Sequence, residues 1–194
     1  TLFPYTTLFR SIPGIIMAAE EQHGFVFHTP KGDQNLSIED VRQLAMNDDP
    51  DGLYALGMAY LYGWDVPEAD EGLGYDYLNR AADKGQTEAM TLLVRLYMEG
   101  EYTDMTAEKA ANWAIRAATA GNTEAQLYAG LAYMDGISVD QDYVQAANMF
   151  RKAANRGNDE ARTNLGYLYQ TGLGLDRDLH KAFKLYRVAA KNGN

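Results

Sequence analysis

The chain has 194 residues, 46% of them hydrophobic, with a formal net charge of −10 and no cysteine. Its 27 acidic and 17 basic residues repel phosphate backbones and argue against nucleic-acid binding. The lack of thiols excludes disulfides, thiolate zinc sites and cysteine nucleophiles.

Thr1 to Ser11, TLFPYTTLFRS, resemble the in-frame translation of a DNA-sequencing adaptor and are set aside from the fold. The natural N-terminus is therefore open. Met17 (MAAEEQ) is one candidate start. A signal-peptide tail over Ile12 to Ala19 is another, although Met17 at the −3 position fits the small-residue rule poorly; an internal piece of a longer protein is a third. Both an intracellular and an envelope or secreted location stay open. No apolar run is long enough to span a bilayer.

Residues 12–36 show no repeat pattern and are expected to be irregular. Within them Phe25-Val26-Phe27 reads as a short extended segment, with Pro30 and Gly32 turning the chain. SIEDVRQLAMNDD then predicts a capping helix over 37–48, with Ser37 as its N-cap.

From residue 49 onward the chain repeats. Gly85, Gly121, Gly157 and Gly193 fall at a constant spacing of 36 residues. The pairs Ala81-Ala82, Ala117-Ala118, Ala153-Ala154 and Ala189-Ala190 keep that register, as do Tyr97, Tyr133 and Tyr169. Tyr60 and Gly63 fall one residue early, which places an insertion in the loop GWDVPEADEG. Four units follow, over 49–85, 86–121, 122–157 and 158–194.

Each unit divides into two helical stretches. In the first, apolar residues or tyrosine recur four, seven and eight positions after Ala125 or Ala161, with glycine at the eleventh. Those positions form one helix stripe, so the helix should pack along it. In the second stretch, alanines such as Ala110, Ala114 and Ala117 allow close helix approach, while Tyr77, Trp113, Met149 and Leu185 fill space between repeats. Glycine just past this helix suits a left-handed C′ residue. Asn122 and Asn158 then cap the next first-type helix, and Asp49-Pro50 starts the earliest one.

The chemistry-bearing residues form no recognisable reaction centre. His23 and His28 lie in the segment without repeats, and His180 sits beside Lys181 on a second-type helix; all three read as surface or loop residues. Asp140-x-Asp142 and Asp176-x-Asp178 lack the glycine and closing glutamate of a calcium loop and read as helix caps. Gly172-x-Gly174 follows no strand and reads as a repeat loop, not a phosphate cradle.

These repeats resemble the Sel-one-like repeat (SLR) family, relatives of the tetratricopeptide repeats. The family pattern is roughly A-x-x-x-L-G-x-x-Y-x-x-G-x-G-V-x-x-D-x-x-K-A-x-x-W-x-x-K-A-A-x-x-G. The fourth unit follows it best, through Ala161, Leu165, Gly166, Tyr169, Gly172, Gly174, Asp178, Lys181, Ala182, Ala189, Ala190 and Gly193. The second departs most, with Val94 in place of the helix glycine, although Lys109, Ala110 and Trp113 are present. The resemblance covers about residues 49–194. It implies an all-α fold: a right-handed α-α superhelix (solenoid) of about four 36-residue repeats behind an N-terminal capping helix.

The resemblance also implies a non-enzymatic, cofactor-free scaffold or adaptor that holds a protein or peptide partner on its concave face; a monomer is expected. The candidate face lies two, six and nine positions after each unit's starting residue. In unit order it carries Tyr54, Met58 and Leu61; Thr91, Arg95 and Met98; Leu127, Leu131 and Met134; and Thr163, Tyr167 and Gln170. The residues expected to bind are Tyr54, Met58, Leu61, Arg95, Met98, Leu131, Met134, Tyr167 and Gln170. A face outside the core stripe should be polar, and this one is rich in methionine, leucine and tyrosine, which suit adaptable binding surfaces. Packing of some of them between repeats is the competing reading. Two other functions stay open: a wall- or β-lactam-related hydrolase, as in cysteine-rich relatives, which the lack of cysteine disfavours, and a spacer in a longer protein.

Overall fold

The computed structural model describes residues 15–17, 25–29, 32–102 and 104–193. Thr1 to Ser11, His23 and Pro30 lie outside the described residues. The chain forms two compact units, 1–90 and 91–194.

The first unit opens with a three-stranded antiparallel sheet, β1 (Ile15–Met17), β2 (Phe25–Thr29) and β3 (Gly32–Leu36), in that order. This differs from the irregular segment expected over 12–36. Its cause is local: Phe25-Val26-Phe27 has the aromatic and β-branched character of a strand, and Thr29 pairs with Gly32 across a short connection. Phe25 is buried. The other regular elements among the described residues are helices.

Helix α1 (Ile38–Met46) follows, closed by a reciprocal box in which Ser37 Oγ accepts from the Asp40 N–H and the Asp40 carboxylate accepts from the Ser37 N–H. Helices α2 (Pro50–Tyr62) and α3 (Glu71–Asp83) complete the first unit; α1 packs on α2 and α2 on α3. Asp49 caps α2 through the N–H groups of Asp51 and Gly52, with Pro50 at its start. Every residue of α2 from Gly52 to Ala59 is buried, so this helix has no solvent face over two turns.

Helix α4 (Thr87–Met98) runs across the unit boundary. The second unit continues with α5 (Ala107–Thr119), α6 (Thr123–Asp135), α7 (Tyr143–Asn155), α8 (Asp159–Thr171) and α9 (Leu179–Lys191), each packed on the next. Asn122 and Asn158 cap α6 and α8, and Asp142 and Asp178 cap α7 and α9. Gly121, Gly157 and Gly193 end the second-type helices with φ near +100° (96°, 100° and 98°), a conformation that costs glycine little.

Close approach within each helix pair follows one rule. A Cβ on Gly57 would meet Leu78 at 2.8 Å; one on Gly130 would meet Phe150 at 2.4 Å; one on Gly166 would meet Tyr186 at 2.8 Å. A missing side chain on the first-type helix therefore admits a large one from the second. Val94 and Ala114 occupy the corresponding positions of the second repeat, and both are buried. In repeat register the larger residue there stands on the first-type helix and the smaller on the second, the reverse of the other three repeats.

The second unit also buries one amide. Gln126 is buried and its Oε1 has no hydrogen-bond partner, whereas the equivalent positions of the first two repeats carry buried Leu53 and Met90. An unpaired buried polar group costs about 1–3 kcal/mol. Gln126→Met should therefore raise stability by about that amount, seen as a higher urea midpoint at unchanged slope. A lower midpoint would mean that the amide has a partner the geometry does not reveal.

Candidate protein-binding face

The structure divides the candidate face by depth. Tyr54 and Met58 are only 1% and 5% exposed. They belong to the core of the chain and not to an open surface, which corrects their assignment as binding residues. The reason is the nature of α2: a helix that is apolar around its whole circumference is buried on every side. Leu61 is half-buried, with its backbone against Gly74 of α3.

In the second unit the same positions fall into rows. The innermost row, Thr91 and Leu127, is buried, and Thr163 is half-buried. The next row holds Arg95, Leu131 and Tyr167; the outermost holds Met98, Met134 and Gln170. Met98 is 54% and Tyr167 46% exposed. Gln170 is exposed, while Arg95, Leu131 and Met134 are half-buried. Leu131 and Met134 lean on the core cluster that joins Leu127 of α6 to Leu165 and Leu168 of α8.

Polar contacts hold this face in place. Arg95 Nε lies 3.5 Å from Glu124 Oε1, an ion-pair distance without the alignment of a hydrogen bond. The Tyr128 hydroxyl donates to the same carboxylate oxygen at 3.1 Å. Burial, reinforced by the negative charge of Glu124, raises the Tyr128 phenol well above its ordinary range, so it remains a donor at all physiological pH values. The Tyr186 hydroxyl donates to Gln170 Oε1 at 2.9 Å, tying α9 to the outer row of α8. Arg95 and Gln170 are thus partly positioned by the fold, which lowers the entropy a partner must take from them on binding.

The remaining motifs resolve as structure. Asp142 and Asp178 cap helices as expected, and His180 is exposed. Gly174 lies against the backbone of Tyr143.

Antiparallel helix pairs with a 36-residue period, capped at their starts and closed by left-handed glycines, define an α-helical repeat protein of the solenoid class. The Sel1 repeat matches residues 50–86, 87–122, 123–158 and 159–194, and the chain belongs to the Sel1 repeat family. Among solved structures it is similar to c5321, a protective antigen of uropathogenic Escherichia coli strains that displays an SLR fold. The identity is 32% and the TM-score 0.69, over 82% of this chain and 34% of that one. It is also similar to a Sel1 repeat protein from Oxalobacter formigenes, at 26% identity and a TM-score of 0.65, over 81% of this chain and 62% of that one. The chain thus spans less than two thirds of either protein. No curated protein matches it. Sel1 repeats generally serve as protein-interaction scaffolds. No described helix is long and apolar enough to cross a membrane.

Proposed function

We propose that the chain is a non-catalytic scaffold that holds a protein or peptide partner on the outer rows of α4, α6 and α8 in its second unit. The observation that carries this reading is the exposure of Met98 and Tyr167, at 54% and 46%, on helices whose other large apolar residues are mostly covered. Tyr167 and Arg95 are of the residue types that dominate interface energies, and the flexible thioether of Met98 suits an adaptable binding surface. Family membership supports the same role.

The double variant Met98→Ala/Tyr167→Ala tests it. Both residues are about half exposed, so the melting temperature should stay within a few degrees of the parent. Affinity for a partner retained specifically by the immobilised parent chain should fall at least about tenfold, since an interface anchor contributes about 2 kcal/mol or more. Unfolding of the variant would show that the two residues are core. Undiminished retention by a folded variant would place the binding surface elsewhere, and a parent chain that retains nothing specific would favour a spacer.

A further inference from the structure

A cleft of about 420 Å³ opens in the first unit, lined by residues of α1, α2 and α3. Buried Ala45 and Leu56 form its floor. Tyr60 and Tyr77 line it and stack face to face, with centroids 5.9 Å apart and planes 8° from parallel. Met46, 75% exposed, lies at one edge. The remaining lining residues are Arg42 and Arg80. In the second unit the position of Tyr77 is taken by Trp113, which is buried.

The charge of this cleft runs against the rest of the chain. The protein carries 27 acidic residues to 17 basic ones, yet among the described residues lining the cleft the two ionisable ones besides tyrosine are both arginines. Each guanidinium is steadied from outside the cleft. Arg80 lies 5.3 Å above the Tyr77 ring and donates to Asp48 at 2.8 Å; Arg42 pairs with Glu39 at 3.4 Å. Asp48 is also engaged by Lys84 at 3.1 Å. Exposed pairs of this kind are weak, and a guanidinium has five donors, so each arginine keeps donors for a second carboxylate.

We propose that this cleft docks an acidic peptide segment of a protein partner. An aromatic or branched apolar side chain would enter between Met46 and the stacked tyrosines, and flanking carboxylates would pair with Arg42 and Arg80. The volume lies within the range of small-ligand sites and accommodates one or two side chains. Charge complementarity selects the acidic peptide over a basic one. The site is independent of the face on α4, α6 and α8.

The test is a titration of the full ¹⁵N-labelled chain with the blocked pentapeptide acetyl-Ser-Asp-Phe-Glu-Ser-amide. Two controls accompany it, one with lysine in place of both acids and one with serine in place of phenylalanine. Saturable shifts should concentrate at the amides of Ala45, Met46, Tyr60 and Tyr77, and each control peptide should bind at least tenfold more weakly. Met46→Glu, at a solvated position outside the ion pairs, should weaken the acidic peptide at least tenfold with an unchanged melting temperature; Arg42→Gln, which removes the charge without setting a second carboxylate beside Glu39, should also weaken it. Equal binding of the acidic and lysine peptides would overturn the proposal. So would an absence of saturable shifts, shifts centred on Met98 and Tyr167, or undiminished binding by a folded Met46→Glu variant.

Discussion

Truncating Phe150 to alanine should lower the unfolding free energy of the second unit by about 3–5 kcal/mol. The ring is buried at the centre of a cluster formed with Leu127, Ala146, Ala153, Leu165 and Leu168, so its removal leaves a cavity that rigid helices close only in part. The partner position makes a sharper test. Gly130 lies within α6, where glycine normally costs about 1 kcal/mol relative to alanine. Gly130→Ala should nevertheless destabilise, by about 1–3 kcal/mol, because the new Cβ would stand 2.4 Å from Phe150 Cε1 and 2.6 Å from Cδ1. Phe150→Leu should then recover part of that loss, giving a favourable coupling of about 0.5–3 kcal/mol in the double-mutant cycle. Urea unfolding of the four chains, followed by circular dichroism and by tryptophan fluorescence, to which the buried Trp113 contributes, supplies the cycle. A stabilised Gly130→Ala chain would mean that helix propensity outweighs packing here.

Gly174→Ala should cost about 3 kcal/mol or more, for a different reason. Gly174 has φ +71°, and a Cβ there would stand 2.3 Å from the carbonyl carbon of Tyr143 and 2.5 Å from its oxygen. Those atoms are backbone and cannot swing aside as a side chain can, so the loop between α8 and α9 must lift off α7. The left-handed conformation alone does not account for the cost. Ser138, one repeat earlier, has φ +62° with an exposed side chain, and strain of that kind amounts to about 1–2 kcal/mol. Ser138→Gly should therefore change stability by no more than about 1 kcal/mol, in the favourable direction. Comparable effects at 138 and 174 in urea unfolding would show that backbone conformation, and not the contact with Tyr143, decides.

Much of the helical architecture can be read from residues that act locally. A cap needs only an oxygen and an N–H three residues on, and a left-handed C′ needs only glycine; hence Ser37, Asp49, Asn122, Asn158 and Gly121 do what their positions suggest. The sheet is harder to read because its pairing joins segments with no repeat to align.

The candidate face was legible only in azimuth. Spacing along a helix fixes the direction of a side chain but not what comes to lie over it, so Met58 and Tyr167 share a repeat position while one is buried and the other exposed. Local composition carries the missing signal. The stretch GLYALGMAYL in α2 holds no charged residue, whereas ARTNLGYLYQ in α8 carries an arginine and several polar groups. The arginine-lined cleft left no such trace, because Arg42 and Met46 sit on a helix outside the four repeats, where register offers no guide.

The exchange of volumes at Val94 and Ala114 also limits how such a gene can be recombined. A crossover between repeats at Gly85, Gly121 or Gly157 transfers a matched helix pair intact. One that falls between the two helices and joins the second repeat to another would set a glycine against an alanine and open a void, or a valine against a phenylalanine and force a clash. Shuffling, duplication and loss that involve the second repeat should therefore be tolerated in steps of a whole helix pair, with junctions in the turns that follow α3 and α5.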